Sequence, residues 1–449
     1  MQRHHVSAGN FHVGHGQPLI LEAYLGTCVG VAVVDPDAGV GGLAHFLLPE
    51  PVSLESTFQP GKYASSGMPL FLKALCEAGA RREGLKATMA GGALVGPVDD
   101  LDLNLDIGGR TAEIAERILK AEGIPIRTEE TGGFFSCCIS LDMQQWRCQI
   151  EPSGVEKTAL SGCAAPPTPE EINRAVEQLK PVPQAALKIM RLIDEDEYDI
   201  RTLADELRKD QVLCARTLKL ANSVMFASRN PIESVDHALM YLGVNLLVKF
   251  VIAAAVEGFF AQSASGYSLC KGGLYHHAVG TAIVSEKLAK LTTAAKPGLA
   301  YTAGLLHDIG KVVLDQFVAG AAPLFYRQLI EERATDFIQA EQSLFGTTHS
   351  EVGYRLAKKW ALPDSLAEAI RHHHRPEQGN GNIELNHIVF LANLIMSRFH
   401  AGLELEKQDT GALSPRMGAI GLSTSQFPQI VDMIPLSVFE AAPAAAITA

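Results

Sequence analysis

Cys28 and His45 are a pair whose types and spacing could do chemistry. A thiol within hydrogen-bond reach of an imidazole is the minimum constellation for covalent cysteine catalysis, because the imidazole takes the thiol proton and stabilises the thiolate. The other reading of a lone strand cysteine is an inert core residue, since cysteine is among the most often buried side chains. A second set lies further along: His277, the adjacent His307-Asp308, His349 and His372-His373-His374. Imidazole and carboxylate on facing helices can build an octahedral or five-coordinate site for iron, manganese or a similar ion. His307 and Asp308, being adjacent, serve one metal only at a helix end or kink.

The elements that must position these residues follow from periodicity and turn chemistry. Two apolar runs, Leu25 to Asp35 and Gly41 to Pro49, read as buried strands joined by a turn at Asp35-Pro36-Asp37-Ala38-Gly39. If they pair antiparallel about residue 37, positions 28 and 45 come close to opposite each other. Helical stretches are expected at about Met68 to Glu83 and Thr111 to Glu122, with a loop at Val52 to Gly61. A last hairpin is expected over 134–150, turning near Asp142 to Gln145. This is a mixed α/β domain of layered sheets over about residues 1–155. A Pro-containing linker, 156–169, ends in Pro166-Pro167-Thr168-Pro169.

From Glu170 to about Phe399 the spacing is helical, as in Ile172, Ala175, Val176 and Leu179, then Leu187, Met190 and Ile193. His277 falls early in a helix running to about Leu291, and His307-Asp308 near the end of one from Gly298. His349 opens a helix with Val352 and Leu356 on its apolar side, and His372-His373-His374 closes one before Pro376. Asn222-Ser223 is expected to end a helix and Gly243 to cap another. The extension 401–449 reads as a short helix at Ser423 to Met433 and a poorly ordered Ala-rich tail from Phe439.

At 449 residues the chain is long enough for two or three domains. Its net charge of −12 argues against general nucleic-acid binding, which needs a basic face. No run of apolar residues is long enough for a membrane span, and Met1-Gln2-Arg3-His4-His5 leads into no secretory signal. Eight cysteines without metal-type spacing fit a reducing cytosol. The expected location is cytoplasmic.

Gly26-Thr27-Cys28-Val29-Gly30 and Gly41-Gly42-Leu43-Ala44-His45 resemble the chemoreceptor glutamine deamidase family, CheD. The resemblance continues through Lys62-Tyr63, Ala90-Gly91-Gly92-Ala93, Asp106-Ile107-Gly108, Ile124-Pro125-Ile126 and Thr131-Gly132-Gly133, covering roughly the first third. It implies that Cys28 attacks a glutamine carboxamide on a methyl-accepting chemoreceptor, with His45 as general base and acid, no cofactor, and a CheC-type phosphatase as possible partner. The family's third member, a Thr six residues before the Cys, is Glu22 here; its carboxylate could orient the imidazole or point to solvent. The family's Gly-Arg after Thr-Gly-Gly is replaced by Ser136-Cys137.

The helical half resembles the HDOD domain, a relative of the HD phosphohydrolases. The residues that carry this are Leu179-Lys180-Pro181-Val182-Pro183, Leu203-Ala204, Leu218 to Ser223, Ala238 to Gly243 and Gly304 to Lys311. By resemblance to catalytic HD proteins, His277, His307, Asp308, His349, His373 and His374 match metal-ligand positions for a divalent ion such as iron or manganese, while the closing Asp is Asn393. Lys311 would contact phosphate if that site were live. The expectation is an α+β chain: a deamidase-like domain followed by an all-α HDOD domain. Its alternatives are a non-catalytic chemotaxis scaffold and a metal-dependent phosphohydrolase.

Overall fold

The computed structural model describes residues 2–51, 59–93, 107–132, 137–152, 167–179, 181–195, 200–221, 232–260, 267, 273–318, 337–399 and 412–432. Of the expected loop at Val52 to Gly61, 52–58 lie outside these residues and Pro60–Lys62 forms a single 3-10 turn; most of the linker, Asn222-Ser223, Ser136 and the Ala-rich tail also lie outside.

The N-terminal half is three layers built on two sheets. The strands are β1 (Gln2–His5), β2 (Phe11–His15), β3 (Leu19–Leu25), β4 (Val29–Asp35), β5 (Val40–Phe46), β6 (Lys86–Gly91), β7 (Ile126–Thr131), β8 (Cys137–Asp142) and β9 (Arg147–Pro152). One sheet has the order β1-β3-β8-β9 and the other β2-β5-β4-β6-β7. Alternation along β4 and β5 sorts their side chains between two cores. Val29, Val31, Val33, Ala44 and Phe46 face α1 (Ala64–Glu77) and α2 (Ile107–Ala121), whose Met68, Phe71, Leu75, Ala115 and Leu119 complete that layer. Cys28, Ala32, Leu43 and Leu47 face the other sheet, against Leu21, Leu25, Ile139 and Leu141. Helix α1 starts earlier than periodicity suggests, at Ala64, and it stops earlier because Gly79 takes φ 101° and closes it in the left-handed conformation. The hairpin β8–β9 pairs Asp142 with Arg147, as its turn residues indicate.

The second half is helical. Its elements are α3 (Pro169–Gln178), α4 (Gln184–Glu195), α5 (Ile200–Arg208), α6 (Gln211–Ala221), α7 (Val235–Phe260), α8 (Gly273–Thr292), α9 (Pro297–Leu306) and α10 (309–318). They continue as α11 (Phe337–Phe345), α12 (His349–Lys359), α13 (Asp364–His372), α14 (Ile383–Phe399), α15 (Leu413–Gly418) and α16 (Phe427–Asp432). Thr168 opens α3 with a full capping box to Glu171. Gly243, at φ 74°, breaks α7 into two helices, which is the cap its sequence suggests. Gly310 lets α10 cross α12 closely: a Cβ there would stand 1.9 Å from the His349 carbonyl oxygen. No helix among the described residues is long and apolar enough to cross a membrane.

The two halves share one buried apolar cluster, which runs from Val6, Leu47, Leu48 and Tyr63 into the helices. Their polar junction is at Lys62-Tyr63. The Lys62 ammonium donates to the backbone carbonyls of Val431 (3.3 Å) and Asp432, and lies 3.4 Å from the Asp432 carboxylate. The Tyr63 hydroxyl donates to the same carboxylate. The segment carrying Asp432 is itself tied to the helices, since Arg416 pairs with Glu377 at 3.0 Å and Leu413, Met417 and Phe427 are buried.

Candidate active site and a buried histidine cluster

The β4–β5 ladder runs from Val29 and Phe46 to Asp35 and Val40 and places His45 opposite Gly30, while Cys28 lies just ahead of it, in the turn 26–28 rather than in the strand that the sequence suggests. Cys28 and His45 are therefore offset along the chain direction rather than opposite each other, because four residues, 36–39, separate the closing pair Asp35 and Val40. Gly30 leaves its position opposite His45 bare. A Cβ there would lie 2.8 Å from both Ile139 and Leu25. The turn ahead of β4 is held by the Gly-Gly after β6. Gly92 donates to the Cys28 carbonyl at 2.8 Å and Ala93 to the Gly26 carbonyl at 2.9 Å. Gly91, at φ 96°, passes so close that a Cβ would stand 2.2 Å from the Cys28 oxygen.

His45 Nδ1 lies 2.9 Å from the Val6 carbonyl, to which it can only donate. That fixes the tautomer and leaves the lone pair on Nε2, which is buried and has no hydrogen-bond partner among the described residues. Val6 is held in turn by its own N–H, which donates to the Glu22 carbonyl at 2.8 Å. The Glu22 side chain does not orient the imidazole. It stands between Leu21 and Ala23, both fully buried between the sheets, so alternation turns it to the opposite face. There it pairs with Arg3 at 2.9 Å. The orienting group, a backbone carbonyl 39 residues before His45, carries no side-chain signal in the sequence.

Burial pushes the Cys28 thiol up to about 12 and the His45 imidazole down to about 4. The resting pair is therefore neutral thiol and neutral imidazole, not a preformed ion pair.

Residues 47–152 match the family model of CheD chemotactic sensory transduction. A Clostridium kluyveri protein named a probable chemoreceptor glutamine deamidase CheD is 35% identical over 131 residues, 29% of this chain and 81% of that protein. A Clostridium botulinum protein of the same name is 33% identical over 150 residues, 33% of this chain and 93% of that one. The chain belongs to the CheD family. Its second half adds a match to the HDOD domain at residues 179–376. The crystal structure of an HDOD domain protein from Geobacter sulfurreducens is 28% identical, with a TM-score of 0.50, covering 62% of this chain and 98% of that one. This CheD chain is thus α+β, a layered sheet domain followed by helices, with the two families in series.

Within the HDOD half the expected histidines converge on Asp308. One group comprises Asp308, His349, His373 and His374, the other His277, His307 and Asp308, all buried. Asp308 Oδ1 is 3.2 Å from His349 Nε2 and 3.4 Å from His373 Nε2, and Oδ2 is 3.1 Å from His307 Nε2 and 2.7 Å from Lys311. Three Nδ1 atoms are committed elsewhere: His307 to the Gly304 carbonyl, His373 to the Ile370 carbonyl and His349 to Glu341. Their Nε2 atoms therefore face inward, as in a ligand shell oriented from outside. Sequence reasoning missed Glu341, fully buried and bonded to His349 N–H, His349 Nδ1 and Tyr267. Burial alone would raise Asp308, but His307 and Lys311 outweigh it and hold the carboxyl well below the usual range. Burial would lower His349, yet the Glu341 and Asp308 carboxylates raise it to about 10, whereas burial pushes His373 to about 3.

Asn393, where the HD pattern has Asp, sets the two groups apart. Its Oδ1 is 2.7 Å from His277 Nε2, which must donate to it. His277 so arranged has no lone pair on the nitrogen that faces Asp308.

Proposed function

We propose that the N-terminal half is a protein-glutamine deamidase acting on chemoreceptors, with Cys28 as nucleophile and His45 as general base and acid. The observation that carries this is the His45 tautomer. The Val6 carbonyl holds the proton on Nδ1, which leaves the Nε2 lone pair without a partner among the described residues, beside the end of β4 that directly follows Cys28. The names of the relatives support the substrate class. The family-model match begins two residues past His45, so the pair rests on this geometry and on the Gly-Thr-Cys motif.

The reaction follows from the neutral resting pair. Nε2 takes the Cys28 proton as Sγ attacks the glutamine side-chain carbonyl carbon, and the imidazolium then protonates the departing ammonia. The thioester is opened by water, whose proton His45 accepts and returns to Sγ, leaving glutamate. The reading implies a cytoplasmic protein, with a CheC-type phosphatase as a further partner. It also implies a deamidase unit of 1–155 joined by a linker, 156–169, to a helical unit of 170–400, which 401–449 extends.

The test is ammonia release and the glutamine-to-glutamate mass change on receptor cytoplasmic fragments. Cys28→Ala and His45→Ala abolish turnover, and Glu22→Gln keeps it within about twofold, because its carboxylate pairs with the exposed Arg3 on the face turned away from the imidazole. Turnover that survives Cys28→Ala overturns the reading.

A second reading applies to the helical half. Asp308 Oδ1 and His307 Nε2 are buried with no hydrogen bond among the described residues, and His349 Nε2 meets His374 Nε2 at 3.0 Å. Nitrogens turned on one another in this way need a proton or a cation between them. We infer that Asp308, His349, His373 and His374 hold one divalent ion such as iron or manganese, which would supply Lewis acidity. Glu341 orients His349, and Asn393 withdraws His277 from a second ion, which favours a sensory or structural centre over phosphodiester hydrolysis. Elemental analysis after purification in manganese should find about one ion per chain, lost in His349→Ala.

A further inference from the structure

Cys28 is 1% exposed and His45 4%. A glutamine carboxamide on a receptor helix cannot reach a thiol so enclosed, so a working deamidase must open. Two backbone segments flank the pair, and the helical half meets both. On one side the Lys62 carbonyl accepts from Leu47 N–H (3.0 Å) and Leu48 N–H (3.1 Å), the residues directly after the strand that carries His45. Lys62 and Tyr63 are the residues that Asp432 occupies. On the other side is β1, whose His5 precedes the Val6 carbonyl that orients His45. His276 of α8 is close enough to act on His5, and Lys287 of the same helix on Lys62. Those two helix positions are about three turns apart and share one face, so α8 spans both flanks. His277, next in sequence, turns the other way toward Asn393.

We propose that Asp432, seated on Lys62 and Tyr63, is an intramolecular clamp that holds the helical half against the segments flanking Cys28 and His45, and so keeps the sheet domain closed to receptor glutamines until it is released. The clamp rests on the deamidase reading above. Its chemistry suits release. The Lys62 ammonium, 2% exposed, is matched by two carbonyls at the end of α16, the negative pole of the helix, and by a carboxylate. The attraction of such a buried pair is largely offset by desolvation, so hydrating both partners together costs little, whereas removing one partner leaves a buried charge unmatched. A competing acidic helix end on the receptor would meet the same two donors, Lys62 and Tyr63.

The experiment uses the full chain with Asp432→Lys. Two rates are read: iodoacetamide labelling of Cys28, mapped by peptide mass, and deamidation of receptor cytoplasmic fragments. Both should rise at least tenfold in the variant, whereas Asp432→Glu, which keeps a carboxylate for the two donors, should stay near the wild-type values. If both rates stay at wild-type levels, the clamp is wrong. Faster labelling with no deamidation by either protein keeps the clamp and removes the deamidase reading. Wild-type deamidation with unchanged labelling does the reverse. Should Asp432→Lys fail to fold, Asp432→Asn carries the same test, with a smaller rise expected.

Discussion

At the residue scale, burial makes His45 both a base in waiting and a liability in acid. Its folded pKa of about 4 lies below the ordinary 6.5 of an unfolded histidine. Between those values the unfolded chain binds a proton that the folded chain refuses, so stability rises with pH across this window and falls as pH drops through it. Above pH 6.5 neither state is protonated and His45 adds no penalty. The full effect is on the order of 3 kcal/mol, reached near pH 4. Urea unfolding of the wild type and of His45→Gln at pH 7 and pH 4.5 should show the wild type losing more stability on acidification. Parallel losses in the two proteins would mean that His45 takes up its proton while folded. The Cys28 thiol works in the opposite range: its folded pKa is raised, so it contributes no acid sensitivity.

At the element scale, the site depends on where backbone passes backbone. Gly91 ends β6 with φ 96° and lies against the Cys28 carbonyl, so any side chain there must displace the turn that delivers Cys28. Gly91→Ala is expected to cost at least about 2 kcal/mol, from the combined backbone strain and overlap. It should also lower deamidation at least tenfold, whereas Gly79→Ala, whose Cβ would meet nothing within 4 Å, should cost stability alone. Thermal melts and turnover on the two variants separate these effects. Much of this was legible. The Val-rich runs around Asp35-Pro36-Asp37-Ala38-Gly39 specify the hairpin, whereas the Gly-Gly at 91–92 carries the family resemblance without showing that it packs on Cys28. The exact offset of Cys28 and His45 was not legible, because loop length moves register by whole residues. Val6 was invisible, since a backbone carbonyl has no residue type. Glu22 was misleading: its distance from Cys28 in sequence says nothing about which face of β3 it takes. Glu341 lies eight residues before His349 and in a different helix, so only the three-dimensional approach of α11 to α12 reveals the pair.

At the scale of the whole molecule, a continuous apolar core argues that the two halves unfold together, with the Asp432 junction as the polar link. The chain offers a direct readout, because it has two tryptophans and each half holds one. Trp146 sits in the β8–β9 turn, and Trp360, at the end of α12, stacks on Phe259 in the helices. An ion bound only by the folded Asp308–His349–His373–His374 group stabilises that state by about 2.7 kcal/mol at a hundredfold excess over its dissociation constant. The ion touches nothing in the sheet domain. If the halves are one cooperative unit, manganese nevertheless raises the midpoint reported by Trp146, in a Trp360→Phe background, as much as that reported by Trp360 in a Trp146→Phe background. Adding Asp432→Lys should leave the Trp360 shift in place and cut the Trp146 shift, because the stabilisation no longer crosses the junction. His349→Ala should abolish both. A Trp146 midpoint that ignores manganese in the wild-type junction would mean that the halves are joined in sequence and independent in stability, and that the shared core contributes contact without cooperativity.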